Sequence, residues 1–309
     1  MIAFPPGVRV VVRDWLSANH VLLVGADDAV LVDTGYASRS PMTLALLGTS
    51  HALGTRTLTG IVNTHCHSDH MGGNAAVARA YGCPIAIPAG EVPLVEAWDE
   101  KALLLAYCDQ AAERFVPYRA LHAGERYRWG DLDWDAIAAP GHDRGALCFY
   151  NARHRVLISG DALWANGFGF VMPPDIDADA LPATRATLEA LAKLDVDVVV
   201  PGHGEPFDDF GAALTRAFRR LEAFEADPSR LARHAVKVVF AFALLDRGSM
   251  RLDELAGYVE RIGIYREFNA RFFRLPPDDF AAFLVDELER AGAVQRKDGR
   301  VVPSAVAAG

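Results

Sequence analysis

Long apolar runs are missing from this 309-residue chain, although 51% of its residues are hydrophobic. No stretch approaches the roughly 20 residues needed to cross a bilayer. The start, Met1-Ile2-Ala3-Phe4-Pro5-Pro6, has no basic segment followed by an apolar core of the kind that directs secretion. These absences speak against a membrane protein and make a cytoplasmic one the expectation. Cysteine is scarce: Cys66, Cys83, Cys108 and Cys148 stand in no paired spacing, which excludes a disulfide scaffold and predicts free thiols. An excess of positive charge is missing too. Net charge is −9, with 13 Lys/Arg against 11 Asp/Glu from Arg230 onward and 18 against 29 before it. An acidic main body argues against binding extended polyphosphates. With no internal repeat and no low-complexity tract, what remains is a soluble globular chain, long enough for one large domain with or without a small second one.

The order of patterns along the chain is α/β. Strands are predicted at Val8 to Val12, Val21 to Val24 and Ala29 to Val32, then a helix from Ser40-Pro41, a strand over Gly60 to Asn63, a helix over Asn74 to Tyr81 and a strand over Cys83 to Pro88. A helix is expected over Asp99 to Phe115, with Leu103, Leu104, Tyr107 and Ala111 on one face, as a packed surface helix or a cap over a site. Strands follow at Leu132 to Ala138, Ala146 to Tyr150 and Arg155 to Ser159, then a helix near Asp179 to Lys193, a strand over Val196 to Val200 and a helix over Asp208 to Ala226. Asp227-Pro228-Ser229 breaks that helix, so the boundary is placed there: residues 1–228 form one domain and 229–309 a second. The second has helices near Leu231 to Leu245, Arg251 to Arg261 and Asp278 to Ala291. It closes on Val294 to Val302 around an Asp298-Gly299 hairpin turn, a winged-helix-like arrangement.

Chemistry concentrates at Thr64-His65-Cys66-His67-Ser68-Asp69-His70, between a buried strand and a helix. His65 and His67, two apart on an extended segment, point the same way and can share one metal ion; Asp69 and His70, beyond the turn, can hold another. Cys66 points the opposite way and is read as packing. Three further strand ends carry donors: Gly141-His142, Gly160-Asp161 and Gly202-His203. A single histidine or aspartate after a strand is usually structural, but four strand ends in one chain that each offer a donor point to a dinuclear centre. His20, His51, His122, His154 and His234 stand outside the pattern and are read as structural. Asp33, Thr64 and Ser159 are candidates to support a ligand by hydrogen bonding.

His65-Cys66-His67-Ser68-Asp69-His70, His142, Asp161 and His203 come in the order found in the metallo-β-lactamase fold superfamily, which the first two thirds of the chain resembles. The resemblance implies a four-layer αββα sandwich with metals at one edge, one held by His65, His67 and His142, the other by Asp69, His70 and His203, with Asp161 bridging. It implies two divalent ions per chain, Zn²⁺ first with Fe or Mn as alternatives, a hydroxide nucleophile, and Asp69 as the residue that orients it or carries its proton. The full donor set is similar to that of the glyoxalase II, lactonase and ribonuclease branches.

Substrate class is a separate question. A small-molecule thioester, ester or lactone is the first reading, with Trp164, Phe168 and Phe170 as an apolar wall and Arg144 as a partner for a substrate carboxylate. The Gly-Cys-Gly-Arg that usually follows the bridging aspartate of glyoxalase II is absent, and so are its basic C-terminal contacts to glutathione. A second reading is an endoribonuclease or phosphodiesterase, because the C-terminal part resembles the appendage of lactamase-β-like endoribonucleases and puts Arg296, Lys297 and Arg300 on its wing. Such a module also serves for packing or for homo-oligomer formation. A third reading is a non-catalytic ligand-binding regulator, against which the intact donor set speaks.

Overall fold

Strand β2 (His20–Val24) is buried along its whole length, and its residues alternate between two cores: Val21 and Leu23 face another sheet, Leu22 and Val24 a layer of helices. That double burial sets the architecture of the computed structural model, which describes residues 2–304. The first sheet has the order β1 (Val8–Val11), β2, β3 (Asp28–Val32), β4 (Thr57–Val62), β5 (Ile85–Pro88) and β6 (Arg119–Leu121), antiparallel as far as β3 and parallel beyond it. Its outer face carries α1 (Ser40–Leu47), the single turn α2 (Ser68–Met71), α3 (Asn74–Tyr81) and α4 (Val92–Ala97).

The second sheet is built from β7 (Arg126–Trp129), β8 (Leu132–Ala138), β9 (Leu147–Asn151), β10 (Val156–Gly160) and β11 (Val198–Pro201), antiparallel except for the parallel pair β10 and β11. Helices α5 (Ala180–Leu191) and α6 (Phe210–Ala226) cover its outer face through Leu181, Leu188, Ala213 and Leu221. Between the sheets, Val30, Val32 and Val62 meet Trp134, Phe149, Ile158 and Val200. The four layers are therefore αββα, as the resemblance implies.

The remaining elements gather around their own apolar cluster: α7 (Pro228–Arg247), β12 (Met250–Arg251), α8 (Leu255–Arg261), α9 (Gly263–Phe268), α10 (Pro277–Arg290), β13 (Val294–Lys297) and β14 (Arg300–Pro303). The hairpin turn is as read, with Asp298 and Gly299 both left-handed, and β12 adds a third strand to the wing beside β14. Asp227 caps α7 by accepting from Ser229 N. Leu231, in the first turns of α7, still packs with the helices of the sandwich, whereas Ala232 to Leu244 supply the C-terminal core.

One predicted element is corrected. Residues 99–115 do not form a helix: α4 ends at Ala97, and only a single 3₁₀ turn, Ala106–Cys108, follows before β6. Trp98, Leu104 and Asp109 all have left-handed backbone, near φ 50 to 57°, which no helix accommodates. Tertiary bonds supply the reason. Asp109 accepts from Arg247 and from the Tyr258 hydroxyl, Tyr107 donates to Glu267, and the Asp99 carboxylate ties down the Lys101 and Ala102 amides. Adjacent leucines consequently serve different cores, Leu103 under the first sheet and Leu104 against the C-terminal cluster.

Candidate metal centre

The ends of β4, β8, β10 and β11 converge at one edge of the sandwich. The loop after β4 delivers His65 and His67, and α2 delivers Asp69 and His70. His142 follows β8, Asp161 directly follows β10, and His203 lies two residues past β11. Two glycines permit the convergence: a Cβ on Gly202 would lie 2.2 Å from Asp161 Oδ1, and one on Gly169 would lie 2.7 Å from His142 Nδ1.

Three imidazole nitrogens meet on one side, His67 Nδ1 standing 3.1 Å from His65 Nε2 and 2.9 Å from His142 Nε2. The opposite nitrogens face outward. His142 Nδ1 contacts the Phe170 carbonyl, His65 Nδ1 lies 3.1 Å from Thr64 Oγ1, and His67 Nε2 is 3.7 Å from Asp143 Oδ2. On the other side Asp69, His70, Asp161 and His203 bring donor atoms within 4.8 Å of one another. His203 Nε2 is 3.0 Å from Asp69 Oδ2, and His70 Nε2 is 3.3 Å from Asp161 Oδ1. The second oxygen of Asp161, Oδ2, lies 3.5 Å from His142 Nε2. One carboxylate thus faces both groups, a different oxygen toward each.

The donor set fits cations rather than a hydrogen-bonded polar core. The Phe170 carbonyl and Asp33 hold the outward nitrogens of His142 and His70, so that the inward nitrogens of both rings are left to face Asp161 and the other donor atoms. Inward-facing His70 Nε2 is buried with no hydrogen-bond partner, as is His203 Nδ1 on the opposite side of its ring. Burial, and then the neighbouring imidazoles, keep His65 well below the usual histidine range and push His67 down to about 4, so both are neutral donors at physiological pH. Burial works to raise the Asp161 carboxyl, but His203 and His70 outweigh it and hold the group well below the usual range, ionised. At His70 burial is outweighed by Asp33, Asp161 and Asp69, which raise its pKa well above the ordinary value; carboxylates that favour a proton there also favour a metal cation beside it.

A buried network fixes the turn. Asp33, at φ 57°, takes the Thr64 amide on Oδ1 at 2.9 Å and the Thr64 hydroxyl on Oδ2 at 2.8 Å, and Oδ2 also lies 2.8 Å from His70 Nδ1. The His70 carbonyl accepts from Thr34 N and Asn63 Nδ2, and Asn74 locks Asn63 by donating to its Oδ1 at 2.7 Å. Asp33 and Thr64 therefore sit where a supporting role needs them. Ser159 does not: its hydroxyl donates to Leu163 O, inside the second sheet's packing. Cys66 is fully buried under the first sheet, away from the histidines on either side.

Above the donors lies a narrow cavity of about 50 Å³, lined by Leu103, Leu104, Cys108, Gln110, Trp164, Phe170, Val238, Val239 and Phe242 as well as the site residues. Trp164 is in this wall, its indole N–H donating to Asp161 Oδ1 at 3.1 Å. Phe168 is not, which corrects the aromatic wall read from sequence: it is 1% exposed and packs among the α6 side chains, and Phe170, two residues on, takes the position over His67 and His142. Arg144 is also corrected. Its guanidinium is held by Asp177 on the surface, outside this cavity, so it is occupied by a protein carboxylate.

Sequence reasoning missed Asn63, Asn74, Asp143 and Glu91. The first two flank the histidine turn and could have been found there. Glu91 is buried against Asp143, and burial followed by that neighbour pushes its pKa up to about 9, so it is protonated at neutral pH; nothing in its local sequence signals this. Val238, Val239 and Phe242 were read only as part of a helix.

Comparison with known proteins agrees with this geometry. Acyl-coenzyme A thioesterase MBLAC2 of Gallus gallus is 26% identical over 63% of this chain and 74% of its own length. A hydroxyacylglutathione hydrolase of Bdellovibrio bacteriovorus is 28% identical over 36% of the chain, which spans 37% of that enzyme. Among solved structures, a beta-lactamase domain protein from Burkholderia ambifaria has the same fold over 98% of this chain and 94% of its own (TM-score 0.59, 21% identity). A protein solved in a di-iron-bound form matches 70% of this chain and 98% of its own (TM-score 0.53, 26% identity). The family model of the metallo-beta-lactamase superfamily matches residues 13–203, from the loop after β1 to the last histidine of the site, and the chain belongs to that superfamily.

Proposed function

We propose that this metallohydrolase cleaves a small-molecule thioester, with an ester or lactone as the nearest alternatives. Residues 1–228 act as the catalytic domain and 229–309 as a module that closes the substrate cavity. His65, His67 and His142 would hold one metal ion and Asp69, His70 and His203 the other, with the Asp161 carboxylate placed to serve both. Zn²⁺ suits this N/O donor set first, with Fe or Mn as alternatives. The observation that carries the reading is the carboxylate of Asp161, whose two oxygens face the two donor groups at the floor of an apolar cavity.

Bound there, two divalent ions supply an activated water and an electrophile for the substrate carbonyl. The chain's own residues orient and exclude. Asp69 lines the cavity beside His203 and is placed to carry the proton of the attacking water. Trp164 holds Asp161 in register through its N–H, and Phe170, Leu104 and Phe242 keep bulk water from the acyl carbon. Water adds to that carbon, the C–S bond breaks, and the leaving sulfur takes the proton, which yields a carboxylic acid and a thiol. Relatives named as thioester hydrolases support this choice of bond.

The nuclease reading is less well supported. On the wing, Arg296 is tied to Glu289 and Asp286, and Arg300 donates to Ser249, so two of the three cations read as nucleic-acid contacts are engaged within the module. Among the described residues no helix is long and apolar enough to cross a membrane. All four cysteines are free and buried, which supports a reducing, cytoplasmic setting.

The test is metal analysis combined with a panel of thioesters, lactones and single-stranded RNA. Two metals per chain with thioester turnover is the expected result. RNA cleavage that falls steeply with salt would replace this reading with the nuclease one, and two metals with no turnover on any class would replace it with the regulator.

A further inference from the structure

Helix α7 has more apolar surface than its own core uses. Leu231 packs with the sandwich, and Ala232, Ala235, Val236, Val239, Phe240, Ala243 and Leu244 account for its buried faces. Val238 and Phe242 belong to none of the four hydrophobic cores, although both are apolar and only half-buried. One turn apart, they share a stripe of the helix, and both line the cavity above the donor residues. Phe242 stands edge-on to His203 with ring centres 5.9 Å apart.

The rest of that cavity wall offers little to a polar ligand. Ser68 and Gln110 are its polar side chains outside the donor set, and each is engaged: the Ser68 hydroxyl donates to Gln110 Oε1 at 3.1 Å, and Gln110 Nε2 reaches the Cys108 carbonyl at 3.4 Å. Leu104 projects into the same space from a left-handed backbone at φ 55°, a conformation leucine adopts only where tertiary contacts impose it. A cavity with donors only at its floor and apolar side chains above selects a ligand that is polar at one end and hydrocarbon beyond it.

We infer that the acyl group of the substrate is held by the C-terminal helix, with Val238 and Phe242 forming the wall that sets which chain lengths are accepted. This rests on the thioester reading and deepens it: the sandwich supplies the reaction and the C-terminal module the acyl specificity. Opposite substitutions follow from the geometry. Val238→Phe fills the stripe, Phe242→Ala opens it.

The experiment uses the full-length metal-loaded protein, with metal content and melting temperature measured for each variant, since Phe242 adjoins His203. N-acetylcysteamine thioesters from acetyl to decanoyl give kcat/KM against chain length, and calorimetry with the corresponding straight-chain carboxylates gives affinity without turnover. In the wild type, affinity should rise by up to about fourfold per methylene until the wall is reached. Val238→Phe should lower the octanoyl-to-acetyl ratio of kcat/KM by at least about tenfold, and Phe242→Ala should move the chain-length optimum upward by about two methylenes. Ratios unchanged in both variants, or both moving the same way, would overturn the inference. The two readings fail separately: if no thioester is hydrolysed the choice of bond is wrong, whereas the carboxylate series still supports the wall if Val238→Phe shortens the longest chain bound and overturns it if affinity is flat with length.

Discussion

The two sides of the cavity are built on opposite principles. Its floor is a set of titratable side chains, several of them held by directed hydrogen bonds: His70 by Asp33, His142 by the Phe170 carbonyl, Asp161 by Trp164. Its far wall is hydrocarbon with no hydrogen bonds to satisfy, presented by one stripe of α7. Polar side chains in a low-dielectric pocket are costly unless every bond is made, so the floor tolerates little change in position. Apolar contacts are non-directional and change gradually with shape. The contrast teaches that position is fixed where bonds are made and broken, while size and shape are set where nothing needs to be aligned.

Substitutions on the floor should damage everything at once. The largest effect is expected for Asp161→Ala, which removes the carboxylate facing both donor groups. Metal content should fall at both positions and hydrolysis by on the order of a thousandfold or more; two metals per chain with unchanged turnover would break the assignment. One shell outward, Asp33→Ala leaves the His70 Nδ1 proton without its acceptor, and metal at the second position should bind roughly 10- to 100-fold more weakly in chelator competition. Equal weakening at both positions would show that Asp33 holds the whole turn rather than one ligand. Trp164→Phe keeps an aromatic side chain but trims the indole and deletes its N–H bond to Asp161, so about a tenfold loss in kcat is expected for every substrate alike. A loss confined to long-chain substrates would instead place Trp164 with the apolar wall.

The smallest effect is a control near the start of α7. His234 lies against Arg220, and burial followed by that guanidinium pushes its pKa down to about 3 from an ordinary 6.5. The unfolded chain therefore binds a proton here that the folded chain refuses between those values. Stability linked to His234 is complete above about pH 6.5 and declines as pH falls toward 3. His234→Gln should flatten the drop in melting temperature between about pH 7.5 and 5 while the chain-length profile stays that of the wild type. A change in profile would mean that the two ends of α7 are coupled.

The sequence reveals the floor far better than the wall, and the reason is chemical. A pair of metal ions requires histidine and carboxylate at strand ends, residue types that are conspicuous there, so His65, His67, Asp69, His70, His142, Asp161 and His203 could be assembled before any geometry was known. The α/β order was legible for a similar reason: strands such as β2 and β10 are buried on both faces and read as unbroken apolar runs. Apolar walls carry no such mark. Phe168 and Phe170 differ only in which side of the chain they leave, and the sequence does not say which enters the core. Residues 99–115 looked helical by spacing, but Asp109 and Tyr107 are drawn away by partners more than 130 residues distant, Arg247 and Glu267, which no local pattern contains. Val238 and Phe242 lie in a correctly expected helix, where only packing could separate a surplus stripe from a buried face.

That surplus stripe makes the molecule divisible for an engineer. Because Val238 and Phe242 face away from the core that α7 builds with α8 and α10, their identities can be varied without asking the C-terminal module to repack. A library restricted to these two positions would explore new substrates at small risk to folding. The same library at Gly202, where any side chain meets Asp161, would return mostly dead proteins.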